Sequence, residues 1–99
     1  MKLLTKALEK KIPLLYSQEG KGMNAIVHVK FFLKSFTWYA LEYSPKSGVF
    51  YGYITSSHCP QGEFGNFTLA ELESVKGKFG KIERDLYFEP KPLKNIFKE

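Results

Sequence analysis

Residues 36–55 read FTWYALEYSPKSGVFYGYIT, two aromatic-rich apolar runs joined by a turn that contains proline and glycine. Aromatic and β-branched residues suit the pleated surface of a sheet, so the runs 37–43 and 49–55 predict two strands. Between them, Pro45 fixes one backbone φ angle and Gly48 can adopt a left-handed one, as a short hairpin loop requires. The segment therefore predicts an antiparallel hairpin at the centre of the fold.

The two faces of this hairpin differ in composition. A loop that pairs Tyr43 with Val49 predicts a register in which one face is mostly tyrosine. That face consists of Tyr39, Leu41, Tyr43, Tyr51 and Tyr53. On the other face Ala40 lies opposite Gly52, and these two small residues leave room for a helix. A bulge at Gly48 is an alternative that slides the pairing along the strands.

Three further stretches predict strands, because apolar and polar residues alternate or because aromatic and β-branched residues cluster in them. They cover residues 25–33, 63–67 and 84–88. The stretch 63–67 is short and follows a turn-rich loop, which favours a position at the edge of the sheet. A last helical turn is expected at residues 93–97, after two prolines have interrupted regular structure.

Two capping signals predict helices on either side of the strands. Thr5 can cap a helix over residues 5–12, which Pro13 ends. Thr68 and Glu71 form a capping box, in which each side chain satisfies a free backbone N–H of the other residue. Together these elements predict an α+β fold: an antiparallel meander of about four strands with two short helices packed on one face.

The size of the chain predicts a single domain over residues 1–99, and its 43% hydrophobic and 16% aromatic residues can supply one core. Charged residues interrupt the N-terminal apolar run before it reaches the length of a signal peptide. No run approaches the roughly 18 apolar residues of a spanning helix. Cys59 stands alone, which favours a reducing compartment. We therefore expect a cytoplasmic protein without membrane contact.

The net charge of +5 is unevenly distributed. Residues 1–35 contain seven lysines and two glutamates, residues 36–75 one lysine and four glutamates, and residues 76–99 seven cations and four acids. The basic ends permit attraction to nucleic acid or to acidic protein surfaces. Fourteen of the fifteen cations are lysines, which more often form a solvated surface than a phosphate site.

No catalytic, cofactor or metal motif accompanies the hairpin. His58 and Cys59 are adjacent but lack the paired spacing of a zinc site, and neighbouring side chains in an extended segment point apart. Arg84 is the only arginine, and it lies between Glu83 and Asp85. A planar, bidentate donor among so many lysines makes Arg84 a candidate contact residue, with a structural ion pair as the alternative.

The tyrosine face is the strongest candidate for a binding surface. Tyrosine combines a large apolar area with a polar tip, and it suits both protein contacts and base stacking. The candidate residues are Tyr39, Tyr43, Tyr51, Tyr53 and, apart from them, Arg84. The alternative is that other elements cover this face and make it part of the core.

Six stretches in order span nearly the whole chain: MKLLT with the following helix and IP (1–13), VKFF (29–32), TWYA (37–40), FYGY (50–53), GNFTLAELESV (65–75) and IERDLYFEPKPL (82–93). Together they resemble a bacterial family known only as a domain of unknown function, which is found on plasmids, conjugative elements and some phages. The resemblance implies a small stand-alone domain of mobile-element biology. The family brings no established active site to carry over, and we expect no cofactor.

The leading hypothesis is a non-enzymatic binding module that engages a protein partner through the tyrosine face. The alternative is single-stranded nucleic-acid binding, based on the basic ends and the stackable tyrosines. The weakest interpretation is a small metal-dependent hydrolase that uses Glu83 and Asp85, because metal-assisted hydrolysis usually needs more carboxylates. A homodimer that forms through the same face is a further alternative.

Overall fold

The structure is a computed structural model that describes residues 2–75, 77 and 80–97. Its elements in chain order are α1 (Lys6–Lys11), a 3₁₀ turn (Gly22–Asn24), β1 (Ile26–Val27), β2 (Val29–Leu33), β3 (Phe36–Ser44), β4 (Val49–Ser56), β5 (Cys59–Thr68), α2 (Leu69–Ser74), β6 (Glu83–Arg84), β7 (Lys91–Pro92) and α3 (Leu93–Ile96).

The main sheet confirms the α+β class and has five strands, where the predicted meander had about four. Strands β2 to β5 form an antiparallel meander, and β6 joins the free side of β2, so the spatial order is β5-β4-β3-β2-β6. β1 and β7 form a separate antiparallel pair. The predicted strand 25–33 is thus divided at His28, whose backbone N–H donates to the carbonyl of Ala40 at 2.9 Å.

The ends of two predicted strands differ from expectation for local reasons. β5 begins at Cys59 rather than near residue 63, because Cys59 also pairs with Ser56. Gly62, with a left-handed φ of 75°, lies in the irregular part between this pair and the pair of Ile54 with Glu63. The predicted strand 84–88 is reduced to β6. Its continuation is a turn in which the Asp85 carboxylate accepts a hydrogen bond from the N–H of Tyr87 at 2.9 Å.

A β-bulge changes the predicted register of the central hairpin. Ala40 pairs with Gly52 as predicted, but the next paired residue on β3 is Glu42, which lies opposite Tyr51. Leu41 is therefore the extra residue, and the bulge is in the strand rather than at the turn. An extra residue exchanges the two faces of the strand beyond it. As a result, Tyr43 pairs with Phe50 instead of lying among the other tyrosines.

The sheet separates two apolar clusters. On one face residues of α1 and α2 pack in or against the cluster that contains Phe50. The ring of Phe50 contacts Phe31 at 5.5 Å, Tyr43 at 4.4 Å and Phe67 at 5.2 Å between centroids. Both predicted caps are present: Thr5 accepts from the N–H of Leu8, and Thr68 and Glu71 form the reciprocal capping box. Two helices thus pack on one face as predicted.

The opposite face is also covered, which the predicted two-helix arrangement omitted. α3 packs there with β1, and the cluster contains Ala25, Val27, Tyr39, Leu41, Tyr53 and Leu93 as buried residues. The backbone N–H of Leu93 donates to the carbonyl of Ala25 at 3.0 Å and anchors α3. The C-terminal segment therefore converts much of the tyrosine face into a second core.

Candidate functional site

The structure divides the four candidate tyrosines among three environments. Tyr39 and Tyr53 are buried, and Phe97 packs on both with ring centroids at 5.5 and 5.4 Å. The hydroxyl of Tyr53 donates to the carbonyl of Gln61. Tyr43 is buried on the other face of the sheet. Only Tyr51 lies partly open to solvent, at the border of the second core.

Burial changes the acidity of two of these tyrosines. Loss of hydration raises the pKa of Tyr39 above its usual value. The pKa of Tyr43 is also raised, first by burial and then by the negative charges of Glu9 and Glu73. Both phenols are therefore neutral at physiological pH, and both side chains are buried in the two apolar clusters.

Beside Tyr51 the tyrosine face opens into a cavity of about 530 Å³. Tyr51 of β4 and Phe64 of β5 form one wall, with nearly parallel rings whose centroids are 6.0 Å apart. Tyr16, whose side chain is 77% exposed, stands on the loop side. Leu41 lies among the lining residues as well. The volume is within the range of pockets that bind small molecules.

A buried carboxylate holds the loop side of this cavity in place. Glu42 is only 3% exposed, and its two oxygens accept hydrogen bonds from the backbone N–H groups of Tyr16 at 2.8 Å and Gln18 at 2.7 Å. Each bond has a charged acceptor, which makes it stronger than a bond between neutral groups. The bulge at Leu41 is what places Glu42 on this face, beside Tyr51.

The side chain of Gln18 extends this network to the sheet. Its amide nitrogen donates to the carbonyls of Ile26 and Leu41, each at 2.9 Å, and its amide oxygen accepts from the N–H of Ile26 at 2.6 Å. Tyr16 has a left-handed φ of 72°, which is uncommon for a residue with a side chain. The loop is thus held in one conformation by buried polar contacts, and the cavity is already formed.

Arg84 performs a structural task at the opposite edge of the sheet. One guanidinium nitrogen donates to the carbonyls of Lys2 at 2.6 Å and Leu3 at 2.8 Å. It thereby attaches the N-terminal segment to β6. Glu83 and Arg84 are successive residues of a strand and point to opposite faces. The carboxylate of Asp85 lies 3.7 Å from the ammonium group of Lys30. Glu83 and Asp85 line the same cavity, but no third His, Cys, Asp or Glu joins them in a metal-binding group among the described residues.

The remaining candidates for chemistry do not come together. Among the described residues, no three His, Cys, Asp or Glu side chains are grouped in a way that could hold a metal ion. His28 lines a shallow cavity with Arg84 and Asp85, and burial lowers its pKa below the usual value. It is a neutral imidazole at pH 7. His58 is exposed in the turn before Cys59.

A second, more open cavity of about 510 Å³ lies at the β2–β6 edge. Phe32 and Tyr87 contribute aromatic rings, and Tyr87 is 92% exposed. Its lining contains both signs of charge, from Lys30 and Lys34 and from Glu83 and Asp85. This surface combines stackable rings with both signs of charge.

Sequence reasoning did not select Glu42, Gln18, Tyr16 or Phe64 as site residues. Glu42 carried a usable signal, because strict alternation would have placed its charge opposite Phe50 in an apolar face. A charge in such a position needs a partner, and in this fold the partner is the loop after α1. Nothing in the local sequence around Gln18 marks it as a buried residue.

In the part of the chain that the structure describes, no helix has the length and apolar character needed to cross a membrane. A family model described as protein of unknown function (DUF2958) matches residues 3–97. Searches of curated proteins and of solved structures find no match to the chain.

Proposed function

The chain belongs to the DUF2958 family of proteins of unknown function, and from its site we propose a single-domain, non-enzymatic module that binds a protein partner. The contact surface is the part of the aromatic face that α3 leaves uncovered. The observation that carries the proposal is the preformed cavity between Tyr51, Phe64 and Tyr16. Of the four tyrosines selected from sequence, Tyr51 becomes the contact residue.

The composition of the cavity supports a protein partner. Exposed aromatic side chains line it: Tyr16 and Phe64 are each more than one third exposed. Clustered exposed apolar groups beside a well-formed pocket are typical of protein interaction sites. The Glu42 network reduces the entropy that binding would otherwise cost, because the loop is already ordered.

The proposed setting is the bacterial cytoplasm and a mobile genetic element. The resemblance of the sequence motifs to a plasmid, conjugative-element and phage family supports the element. The unpaired Cys59 supports a reducing compartment.

A peptide selection tests the proposal. A phage-displayed random peptide library is selected on the immobilised chain, and the affinity of the recovered peptides is measured by fluorescence anisotropy. Phe64→Ser or Tyr51→Ser is expected to weaken binding by about tenfold or more, because truncation of an aromatic contact residue typically costs 2 kcal/mol or so. Tyr87→Ser, an exposed tyrosine at the other cavity, serves as the matched control.

Circular dichroism confirms that each variant is folded. Recovery of peptides that bind wild type and Phe64→Ser equally would refute the proposal, and so would peptides that respond only to Tyr87→Ser. Tyr39→Ser and Tyr53→Ser are unsuitable as tests, because both side chains are buried and their loss would damage the second core.

Single-stranded nucleic-acid binding is the second candidate function. The surface that supports it is the cavity with Phe32 and Tyr87, rather than the tyrosine face selected from sequence. Rings and lysines together suit bases and phosphates, although Glu83 and Asp85 in the same lining oppose an anion. This candidate function predicts that the chain binds a fluorescent oligothymidine at low salt. The affinity should fall steeply as salt is added, and Tyr87→Ser should abolish binding. An unchanged anisotropy at low salt removes it.

A further inference from the structure

The outer edge of β5 is an open hydrogen-bonding edge next to the aromatic cavity. β5 is the terminal strand of the main sheet, and residues 63–68 pair in unbroken register with β4 on one side only in the described part of the chain. The first half of the strand is protected by Pro60 and by the left-handed Gly62. At the other end the N–H of Thr68 donates to the capping carboxylate of Glu71.

The stretch between these ends, residues 63–67, lacks the usual protection of an edge strand. It contains neither proline nor lysine, and its one charged residue is Glu63. Most of its side chains are exposed or half-buried, with Phe67 as the exception. Such an edge can accept an added strand, whose main-chain hydrogen bonds provide affinity while pockets select its side chains.

The cavity is positioned to read one side chain of an added strand. Phe64 and Asn66 are alternate residues of β5, so they share a face of the sheet, and both line the cavity. On that face, a residue of a neighbouring strand has its Cβ atom about 5 Å from the residue opposite it. A long side chain from that position reaches across the ring of Phe64 into the cavity.

The charge of this region selects the sign of that side chain. Glu19 and Glu42 line the cavity, and no lysine or arginine is found among its described lining residues. Residues 36–75, which form β3 to β5 and α2, have one lysine and four glutamates in a chain of net charge +5. The hydrogen-bond donors to Glu42 are backbone N–H groups, which are neutral and do not compensate its negative charge in the wall of the cavity. Aromatic rings attract cations further through their faces.

We infer that the partner segment is an extended basic peptide, which adds as a strand to the outer edge of β5 and inserts a lysine or arginine side chain among Tyr16, Tyr51 and Phe64. The inference rests on the proposed function and specifies the chemistry of its partner. The cation lies within the field of Glu19 and Glu42. The peptide backbone pairs with residues 63–67.

Titration of the ¹⁵N-labelled full chain with synthetic peptides tests this inference. Three peptides of equal length with blocked ends have threonine at every second position. The remaining positions are all lysine in the first peptide, all serine in the second and all glutamate in the third. The lysine peptide is expected to shift the amide signals of residues 63–67 and Tyr51, and to bind about tenfold more tightly than the glutamate peptide, a difference of about 1.4 kcal/mol. A lysine peptide with N-methyl groups along one edge is expected to lose binding, because it cannot complete the ladder.

A pair of charge variants tests whether the preference for the lysine peptide depends on the charge at this cavity. Glu19→Gln removes an exposed charge at the cavity and is expected to weaken the lysine peptide about two- to fivefold, the range for a partly exposed ion pair. Glu83→Gln, on the opposite edge of the sheet, is expected to leave it unchanged. Equal affinity of lysine and glutamate peptides overturns the charge argument, and full binding of the N-methylated peptide overturns strand addition.

Two further outcomes separate this inference from the proposed function. Library peptides that need Phe64 but contain no cation, or tolerate backbone methylation, would preserve the binding module and overturn the basic strand. Light scattering could instead show a concentration-dependent dimer in which the amide signals of β5 are shifted. The segment added to the β5 edge would then come from a second copy of this chain, which would also overturn the inference.

Discussion

Replacing Glu42 by alanine is expected to destabilise the protein by about 3 kcal/mol or more. The carboxylate is buried and accepts hydrogen bonds from the backbone N–H groups of Tyr16 and Gln18. Hydrogen bonds to a charged group contribute about 1.5–3 kcal/mol each, and the N–H groups left behind would have no partner. The measurement is the free energy of unfolding in urea, with the amide exchange rates of Tyr16 and Gln18 as a local readout.

The controls for Glu42→Ala separate the network from the loss of a charge. Glu42→Gln retains one acceptor oxygen and presents a donor to the second N–H, so its loss of stability is expected to lie between wild type and Glu42→Ala. Glu19→Ala removes an exposed glutamate from the same cavity and is expected to stay within about 0.5 kcal/mol of wild type. If Glu42→Ala kept both stability and slow exchange at Tyr16 and Gln18, the network would not be what holds the loop.

The same network shows how far the sequence predicted the candidate site. Alternating runs and turn residues predicted both hairpin strands, and the pairs of Tyr39 with Tyr53 and Ala40 with Gly52 are confirmed. These features depend on neighbours along the chain or across one turn. The bulge at Leu41 depends instead on the loop after α1, which is distant in sequence. Its position could not be predicted from the hairpin alone.

The bulge at Leu41 explains most of the difference between the predicted and the observed candidate site. It places Glu42 beside Tyr51 and sends Tyr43 to Phe50, so two adjacent residues exchange faces relative to the predicted register. Both side chains then obtain suitable partners: Glu42 obtains two N–H donors, and Tyr43 obtains an aromatic neighbour at 4.4 Å. The fold resolves a conflict that strict alternation would have left in the core.

The fate of Arg84 and of the tyrosine face was likewise set by distant segments. The sequence made Arg84 a candidate contact residue, with a structural ion pair as the alternative, whereas in the structure one guanidinium nitrogen donates to the carbonyls of Lys2 and Leu3, at the far end of the chain. The terminal helical turn was expected, whereas its choice of face was not. Because α3 lies over Tyr39 and Tyr53, the open aromatic surface is displaced toward Tyr51.

Gly52→Ala is expected to cost about 3 kcal/mol or more, because the centre of the hairpin has no room for a methyl group. A Cβ atom at this position would overlap the carbonyl oxygen of Tyr39 and lie 3.1 Å from Cε1 of Phe67. Overpacking a core typically costs about 1–3 kcal/mol, and here one of the obstructing atoms is backbone, which cannot rotate away. For a chain of this length the melting temperature should fall by about 12 °C or more.

Gly65→Ala is the matched control, since Gly65 pairs directly with Gly52 on the neighbouring strand. Its added Cβ would meet only Cδ1 of Ile54, at an ordinary 3.9 Å, so a change within about 0.5 kcal/mol is expected. Equal melting temperatures for the two variants would mean that β3 and β4 can separate at little cost. In that case Gly52 would not be what sets their close approach, and the register around the bulge would lose its main steric constraint.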